Sequence, residues 1–214
     1  VGITREGRWL RYQGPASALP TDHWHQQGCV PCTLTLDRGE CALLWLDGSG
    51  RRETFDAAFP ILHGKNGEDG TVQGIFALAG VPVIGCGLLS SALCMDKDRA
   101  HKLAALAGVD VPKSAVFHRS APWEEIASAA QALGFPLFVK PVRAGSSFGI
   151  TRVSLPADLE AAVTEAFRHD SEILLEEAIP GFEVGCAVLG NEVLTVGAVD
   201  EIELSQGFFN YEEI

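Results

Sequence analysis

The chain has 214 residues, 47% hydrophobic and 21% charged, a composition suited to a folded chain with a substantial core and room for two domains. Its net charge of −12 argues against a nucleic-acid partner, which would need a basic face, and no apolar run reaches the roughly 18 residues of a membrane helix. No signal peptide precedes Val1, so the reading is cytoplasmic; nucleotide binding stays open, because a few local lysines decide it.

Val1 to Tyr12 alternates loosely and predicts strand with a turn at Glu6-Gly7. The polar segment His23 to Cys32 contains a Cys29-x-x-Cys32 pair near His23 and His25, which reads either as half of a zinc or redox motif or as plain reduced thiols. The other cysteines (Cys41, Cys86, Cys94, Cys186) lie in apolar runs, and six scattered cysteines suit a reducing compartment. Thr33 to Leu46 alternates again, and Asp47-Gly48-Ser49-Gly50 predicts a turn.

Ala57 to Leu62 reads as a short buried strand leading into His63-Gly64-Lys65-Asn66-Gly67-Glu68-Asp69-Gly70. Val72, Ile75, Phe76 and Ala79 then recur at helical spacing up to Gly80. A strand, a glycine turn and a helix form the unit that places ligands at strand ends in open α/β sheets, so His63 and Glu68 are expected to face a crevice. The alternative is that Glu68 and Asp69 only complement the helix N-terminus. A strand at Pro82 to Ile84, a helix over Leu88 to Cys94 and a helix over Lys97 to Ala107, capped by Asp96 and ended by Gly108, follow.

From there strand and helix alternate: strand Val111 to Phe117, helix Trp123 to Leu133, strand Pro136 to Lys140, strand Ile150 to Val153, helix Ala157 to Arg168, strand Glu172 to Ile179. Between the strand that ends on Lys140 and its successor lies a loop of small residues, Gly145, Ser146, Ser147 and Gly149. Such a loop brings several backbone N–H groups near one anion, with Lys140 as point charge and the serines as hydroxyl donors. It is a phosphate cradle or a plain surface hairpin; it is not a Walker A loop, which places lysine directly after the second glycine. The end of the strand Glu172 to Ile179 suits adenine recognition through backbone groups, with Glu183 placed for ribose hydroxyls. Val184 to Leu189 and Val193 to Ile202 predict a hairpin through Gly190-Asn191, and Ser205 to Tyr211 predicts a lid loop with aromatic residues.

With these residues in view, the sequence resembles the D-alanine–D-alanine ligase family. His63 to Gly74 matches its signature of histidine-glycine, two variable residues and glycine-glutamate-aspartate-glycine, and Met95-Asp96-Lys97, Lys140-Pro141, Gly145-Ser146-Ser147 and Glu176 to Glu183 follow in its order and spacing. Within the family the resemblance is to the vancomycin-resistance branch, and there to VanG-type D-alanine–D-serine ligases. Phe208-Phe209-Asn210-Tyr211-Glu212-Glu213 is similar to dipeptide-forming relatives, which disfavours D-lactate as second substrate.

The resemblance implies an α/β fold: a partial, Rossmann-like preATP-grasp domain over residues 1–95, then the first part of an ATP-grasp domain over residues 96–214, with the start of a lid. It implies that ATP phosphorylates the carboxylate of a first D-alanine and that the amine of a second D-amino acid displaces phosphate. Lys97 and Lys140 would hold ATP phosphates; Ser146 and Ser147 would belong to the phosphate loop, with Ser146 also orienting the lid and first substrate. Phe138, Phe148 and Ile150 would pack near adenine, Glu176, Glu177, Ala178 and Ile179 would form the adenine hinge, and Glu183 would bind ribose. Ser146, His63 and Glu68 are the candidate catalytic residues.

The family's first glycine-rich strand would precede Val1, and its Mg2+ ligands would lie in an absent C-terminal part, so no metal ligand is named here. Val1 in place of methionine and the uncapped end at Ile214 agree with a fragment, inactive by itself. The expected partners are D-alanine, D-serine and ATP, in a homodimer, with no nucleic acid and no membrane. The alternatives are a D-alanine–D-alanine ligase, another ATP-grasp carboxylate–amine ligase, or a non-catalytic nucleotide-binding module.

Overall fold

The computed structural model describes residues 1–20, 23–26, 28–145 and 147–202. They fall into two compact units, one of Val1–Leu62 and Asp69–Ser91, the other of His63–Glu68 and the chain from Ala92 onward.

In the first unit, β1 (Gly2–Ile3), β2 (Trp9–Tyr12), β3 (Cys29–Leu34), β4 (Ala42–Trp45) and β5 (Arg52–Thr54) form an antiparallel meander in that order. The expected turns close it: Gly7 takes φ 79° and donates to Thr4, and Asp47 accepts from the Ser49 N–H. Helix α1 (Thr71–Ala79) lays Val72, Phe76 and Ala79 against Leu34 and Val81, with the Trp9 ring edge-on to Phe76. These residues stand at the helical spacing read from the sequence.

Two local expectations fail in this unit. Ala57 to Leu62 is not a buried strand; Phe59 and Ile61 are exposed, and the segment pairs only through an isolated parallel bridge between Ala58 and Val83. The strand expected at Pro82 to Ile84 is reduced to the same bridge, because Pro60 and Pro82, which lack N–H groups, interrupt the ladder on both sides. The Cys29–Cys32 pair lies on β3, not in a loop. An offset of three on a strand sends the two side chains to opposite faces, so Cys32 is buried with Leu34 and Cys29 is not. Burial pushes both thiols up, which keeps them protonated and inert. Among the described residues no group of three or more metal-ligating side chains occurs.

The second unit is built on a four-stranded antiparallel sheet in the order β6 (Ser114–His118), β9 (Glu172–Glu177), β7 (Leu137–Pro141), β8 (Thr151–Val153). Helices α4 (Trp123–Leu133) and α5 (Leu159–His169) cover one face. Ile126 and Ala130 from α4 and Leu159, Ala162, Val163 and Ala166 from α5 pack on Leu137, Val139, Val153, Ile173 and Leu175. The period-two geometry of a strand then sends Phe138, Lys140, Leu174 and Glu176 to the opposite face.

Helix α2 (Leu88–Met95) contains the change of unit, and α3 (Lys97–Leu106) is capped by Asp96, whose carboxylate accepts the Arg99 N–H. Strand β9 stops at Glu177, short of the predicted Ile179, and α5 starts two residues later than read because Pro156–Asp158 forms a 3-10 turn. The hairpin β10 (Glu183–Gly190) and β11 (Leu194–Ile202) is as expected. The lid expected at Ser205 to Tyr211 lies outside the described residues. No helix among the described residues is long and apolar enough to cross a membrane.

Candidate functional site

The open face of the second sheet ends in a cavity of about 330 Å3 lined by Phe138, Lys140, Ser147, Ile150, Glu176, Glu177, Ile179 and Glu183. That volume suits a small-molecule ligand. Four elements converge on it. β7 brings Phe138 and Lys140, the loop before β8 brings Ser147 and Ile150, the end of β9 brings the acidic pair and Ile179, and β10 opens with Glu183.

The register explains the central contact. Phe138 stands opposite Glu176 and Lys140 opposite Leu174, so Lys140 and Glu176 are diagonal neighbours on one face, and their side chains form an ion pair. The Lys140 ammonium also lies 5.2 Å from the Phe138 ring centroid, within cation–π reach. Glu176 is 6% exposed, and its other oxygen is 3.5 Å from Nε2 of His101 on α3.

Lys97 sits one turn before His101 and donates from Nζ to the Ala144 carbonyl at 2.7 Å, while its backbone N–H donates to Val142. Burial, and then the neighbouring Lys140 charge, hold the Lys97 ammonium below the usual lysine range. Lys97 and Lys140, partly buried ammonium groups on adjacent elements, stand close enough that the Lys140 charge disfavours that on Lys97, a repulsion that an added anion would relieve.

The loop after β7 is shaped by close backbone approaches. A Cβ on Gly145 would stand 2.6 Å from the Cα of Gly64, so the turn at His63 to Glu68 and the loop at Gly145, far apart in sequence, touch backbone to backbone. Gly149 takes φ 70°, and a Cβ there would meet His169 at 2.5 Å and Pro141 at 2.9 Å. Ser147 is left-handed at φ 56°, an uncommon state for serine.

The base of the loop is clamped by Asp170. Its carboxylate accepts the Arg143 N–H at 2.8 Å and the guanidinium at 3.1 and 2.8 Å, and the Glu172 N–H at 3.2 Å. Burial alone would raise the Asp170 carboxyl, but the Arg143 bonds and the backbone donors outweigh it and hold it at about 2.

Of the residues singled out from the sequence, all eight that line the cavity come together. Lys97 stands beside the same loop without lining the cavity, and Phe148 is exposed. The N–H groups of Glu177 and Ala178 donate to Lys113 and Pro136 inside the fold. Glu68 turns back on its own loop, its carboxylate accepting the Gly64 N–H at 2.6 Å, while Asp69 accepts from Thr71 at the start of α1; His63 is exposed. Ser146 lies outside the described residues. Three participants escaped the sequence reading: His101, Asp170 and Arg143. His101 had a signal, since it lies four residues after Lys97 and so on the same face of a helix. Asp170 and Arg143 had none, because their pairing needs the tertiary fold.

Residues 1–86 match the family model for the N-terminus of D-ala D-ala ligase, and residues 103–214 match that for its C-terminus. The crystal structure of VanG D-Ala:D-Ser ligase from Enterococcus faecalis superposes with a TM-score of 0.86 at 53% identity, over 98% of this chain and 61% of that one. Vancomycin B-type resistance protein VanB of Enterococcus faecalis is 42% identical over all of this chain and 60% of its own length. A D-alanine–D-alanine ligase of Caldicellulosiruptor bescii is 42% identical over 99% of this chain and 59% of its own length. The chain thus spans about three fifths of the length of these relatives. The fold is α/β, a partial Rossmann-like region followed by the first part of an ATP-grasp domain. By these matches and this fold, the chain belongs to the D-alanine–D-alanine ligase family.

Proposed function

We propose that this chain supplies the nucleotide-binding part of an ATP-dependent ligase that joins D-alanine to D-serine for modified peptidoglycan precursors, as in vancomycin resistance. The observation that carries the reading is the cavity at the end of β7 and β9, in which a lysine, a small-residue loop, an apolar wall and an acidic rim converge. The similarity to VanG at 53% identity favours D-serine as second substrate. D-alanine in that position is the second reading, supported by relatives named D-alanine–D-alanine ligase.

The residues fit ATP. Phe138, Ile150 and Ile179 offer apolar surface for a base, Glu183 an acceptor for ribose hydroxyls, and Lys140 and Ser147 charge and donors for phosphate. Bound ATP would supply a transferable phosphoryl group that turns the first D-alanine's carboxylate into an acylphosphate, open to attack by the second amine. This chain's own part is to position the polyphosphate and neutralise its charge through Lys97, Lys140 and the Gly145–Gly149 loop. His63, Glu68 and Ser146 belong to the amino-acid side of the reading, where Glu68 would act by shaping the turn that abuts Gly145. Mg2+ ligands are assigned to chain outside these residues. Residues 1–95 and 96–214 are taken as the preATP-grasp and ATP-grasp portions, in a cytoplasmic homodimer.

The test uses the full-length protein with ATP, Mg2+ and D-alanine, with and without D-serine, and identifies products by mass. D-alanyl-D-serine as the main product supports the reading. D-alanyl-D-alanine alone moves the protein to the other branch, and absence of any dipeptide removes the ligase assignment.

A further inference from the structure

Two neighbouring residues at the end of α5, His169 and Asp170, reach the two ends of the loop between β7 and β8. Asp170 holds the entering end. Its carboxylate, 8% exposed, accepts the Arg143 backbone N–H and the guanidinium, which also reaches Glu172 Oε2 at 2.9 Å. His169 holds the leaving end: its ring lies against the backbone of Gly149, where a Cβ would stand 2.5 Å from it, and its Nε2 is 3.2 Å from Glu165 one turn earlier on the helix.

The corner that carries both residues is itself fixed. The Arg119 guanidinium, from the turn after β6, donates to the Phe167 carbonyl and, at 3.1 Å, to that of Asp170, while the Arg119 N–H donates to Ser171. Carbonyls at a helix end lack intrahelical donors, so these bonds satisfy groups that would otherwise need water. Neither His169 nor Asp170 lines the cavity, yet Ser147, which does, lies between the two points they hold, and Ile150 follows directly. A loop that gathers several backbone N–H groups around an anion loses conformational freedom on binding, and a loop held at both ends has already lost much of it.

We propose that His169 and Asp170 are positioning residues for nucleotide phosphate binding, which seat the Gly145–Gly149 loop from outside the cavity. This rests on the nucleotide reading of the cavity. The base and ribose of a nucleotide meet other elements, Ile179 and Glu183 among them, so the effect of the seat is confined to ligands that carry phosphate. Both residues act on one loop, so freeing either end forfeits most of what holding the other gains.

The experiment measures affinity of the full-length protein for ADP by calorimetry and for adenosine by NMR titration. The variants are His169→Ala, which removes the ring, and Arg143→Lys, which keeps the charge and the backbone N–H but loses the fork that Asp170 holds. Each should weaken ADP about fivefold to tenfold and leave adenosine unchanged. The double variant should fall well short of the product of the two losses. His169→Phe, which keeps a flat ring against Gly149 without the Glu165 bond, should recover most of the affinity. Unchanged ADP affinity in either single variant, or equal losses for ADP and adenosine, overturns the proposal and leaves the nucleotide reading standing. Losses that multiply in the double variant overturn the shared seat, and a His169→Phe variant as weak as His169→Ala overturns the part given to the ring. No ADP binding by wild type overturns the nucleotide reading itself, and this inference with it.

Discussion

Two cavities among the described residues differ in what their charges are doing. The larger, about 520 Å3, lies in the first unit against Trp9, Phe55, Phe59 and Phe76, and its charged residues are Arg11 and Glu53. These bond to each other through two contacts of 2.8 Å, which raises the guanidinium and lowers the carboxyl. The smaller, about 330 Å3, has three carboxylates and one ammonium on its walls, with a second ammonium beside it whose charge is disfavoured by burial. Volume therefore does not locate the chemistry. In the first cavity the two charges satisfy each other, whereas the second sets Lys140, with Lys97 beside it, against an acidic rim, a mixed arrangement suited to a ligand that carries both phosphate and hydroxyl groups.

The hardest test of this contrast is Lys140→Ala in the full-length protein. It should weaken ADP binding on the order of 30- to 100-fold by calorimetry, since a charge-assisted partner of phosphate is lost; unchanged affinity would remove the distinction between the cavities. Glu183→Ala should weaken ADP about tenfold but leave a ribose-free adenine–phosphate conjugate unaffected, and equal losses would take ribose recognition away from this rim. Gly145→Ala drives a Cβ into Gly64, so thermal unfolding should report about 1 to 3 kcal/mol of lost stability, together with weaker ADP binding.

Asp170→Asn tests the clamp under the loop. The folded carboxyl, at about 2, lies below its ordinary value, so its stabilising contribution is present above about pH 4 and fades as pH falls toward 2. Denaturant melts should show the variant about 1 to 2 kcal/mol less stable at neutral pH and equal to wild type near pH 2. The smallest effect belongs to the first cavity. Arg11→Met should cost about 1 kcal/mol or less and leave ADP affinity as it was, and a large loss of affinity would place function where none is assigned.

Local periodicity carried much of the fold. α4 runs over the span read from its apolar spacing, and Asp96 caps α3 as its position before Lys97 suggests. Ala57 to Leu62 was misread because a short apolar run looks the same whether a sheet accepts it or a single bridge does. Cys29 and Cys32 show the reverse case, a suggestive spacing disarmed once the strand sends the two thiols apart.

By itself, the sequence determined which residues share a face and where the backbone must come close. Alternation puts Phe138 and Lys140 on one face of β7 and Leu174 and Glu176 on one face of β9, and glycine at 145 and 149 permits contacts that no side chain would allow. Only the tertiary structure decided what those residues do to one another. Glu176 holds Lys140, His101 stands against Glu176, Lys97 is pinned to Ala144, and Asp170 clamps Arg143. These pairings join residues distant in sequence, and their strength depends on burial and on which element lies opposite, two quantities that no local pattern contains.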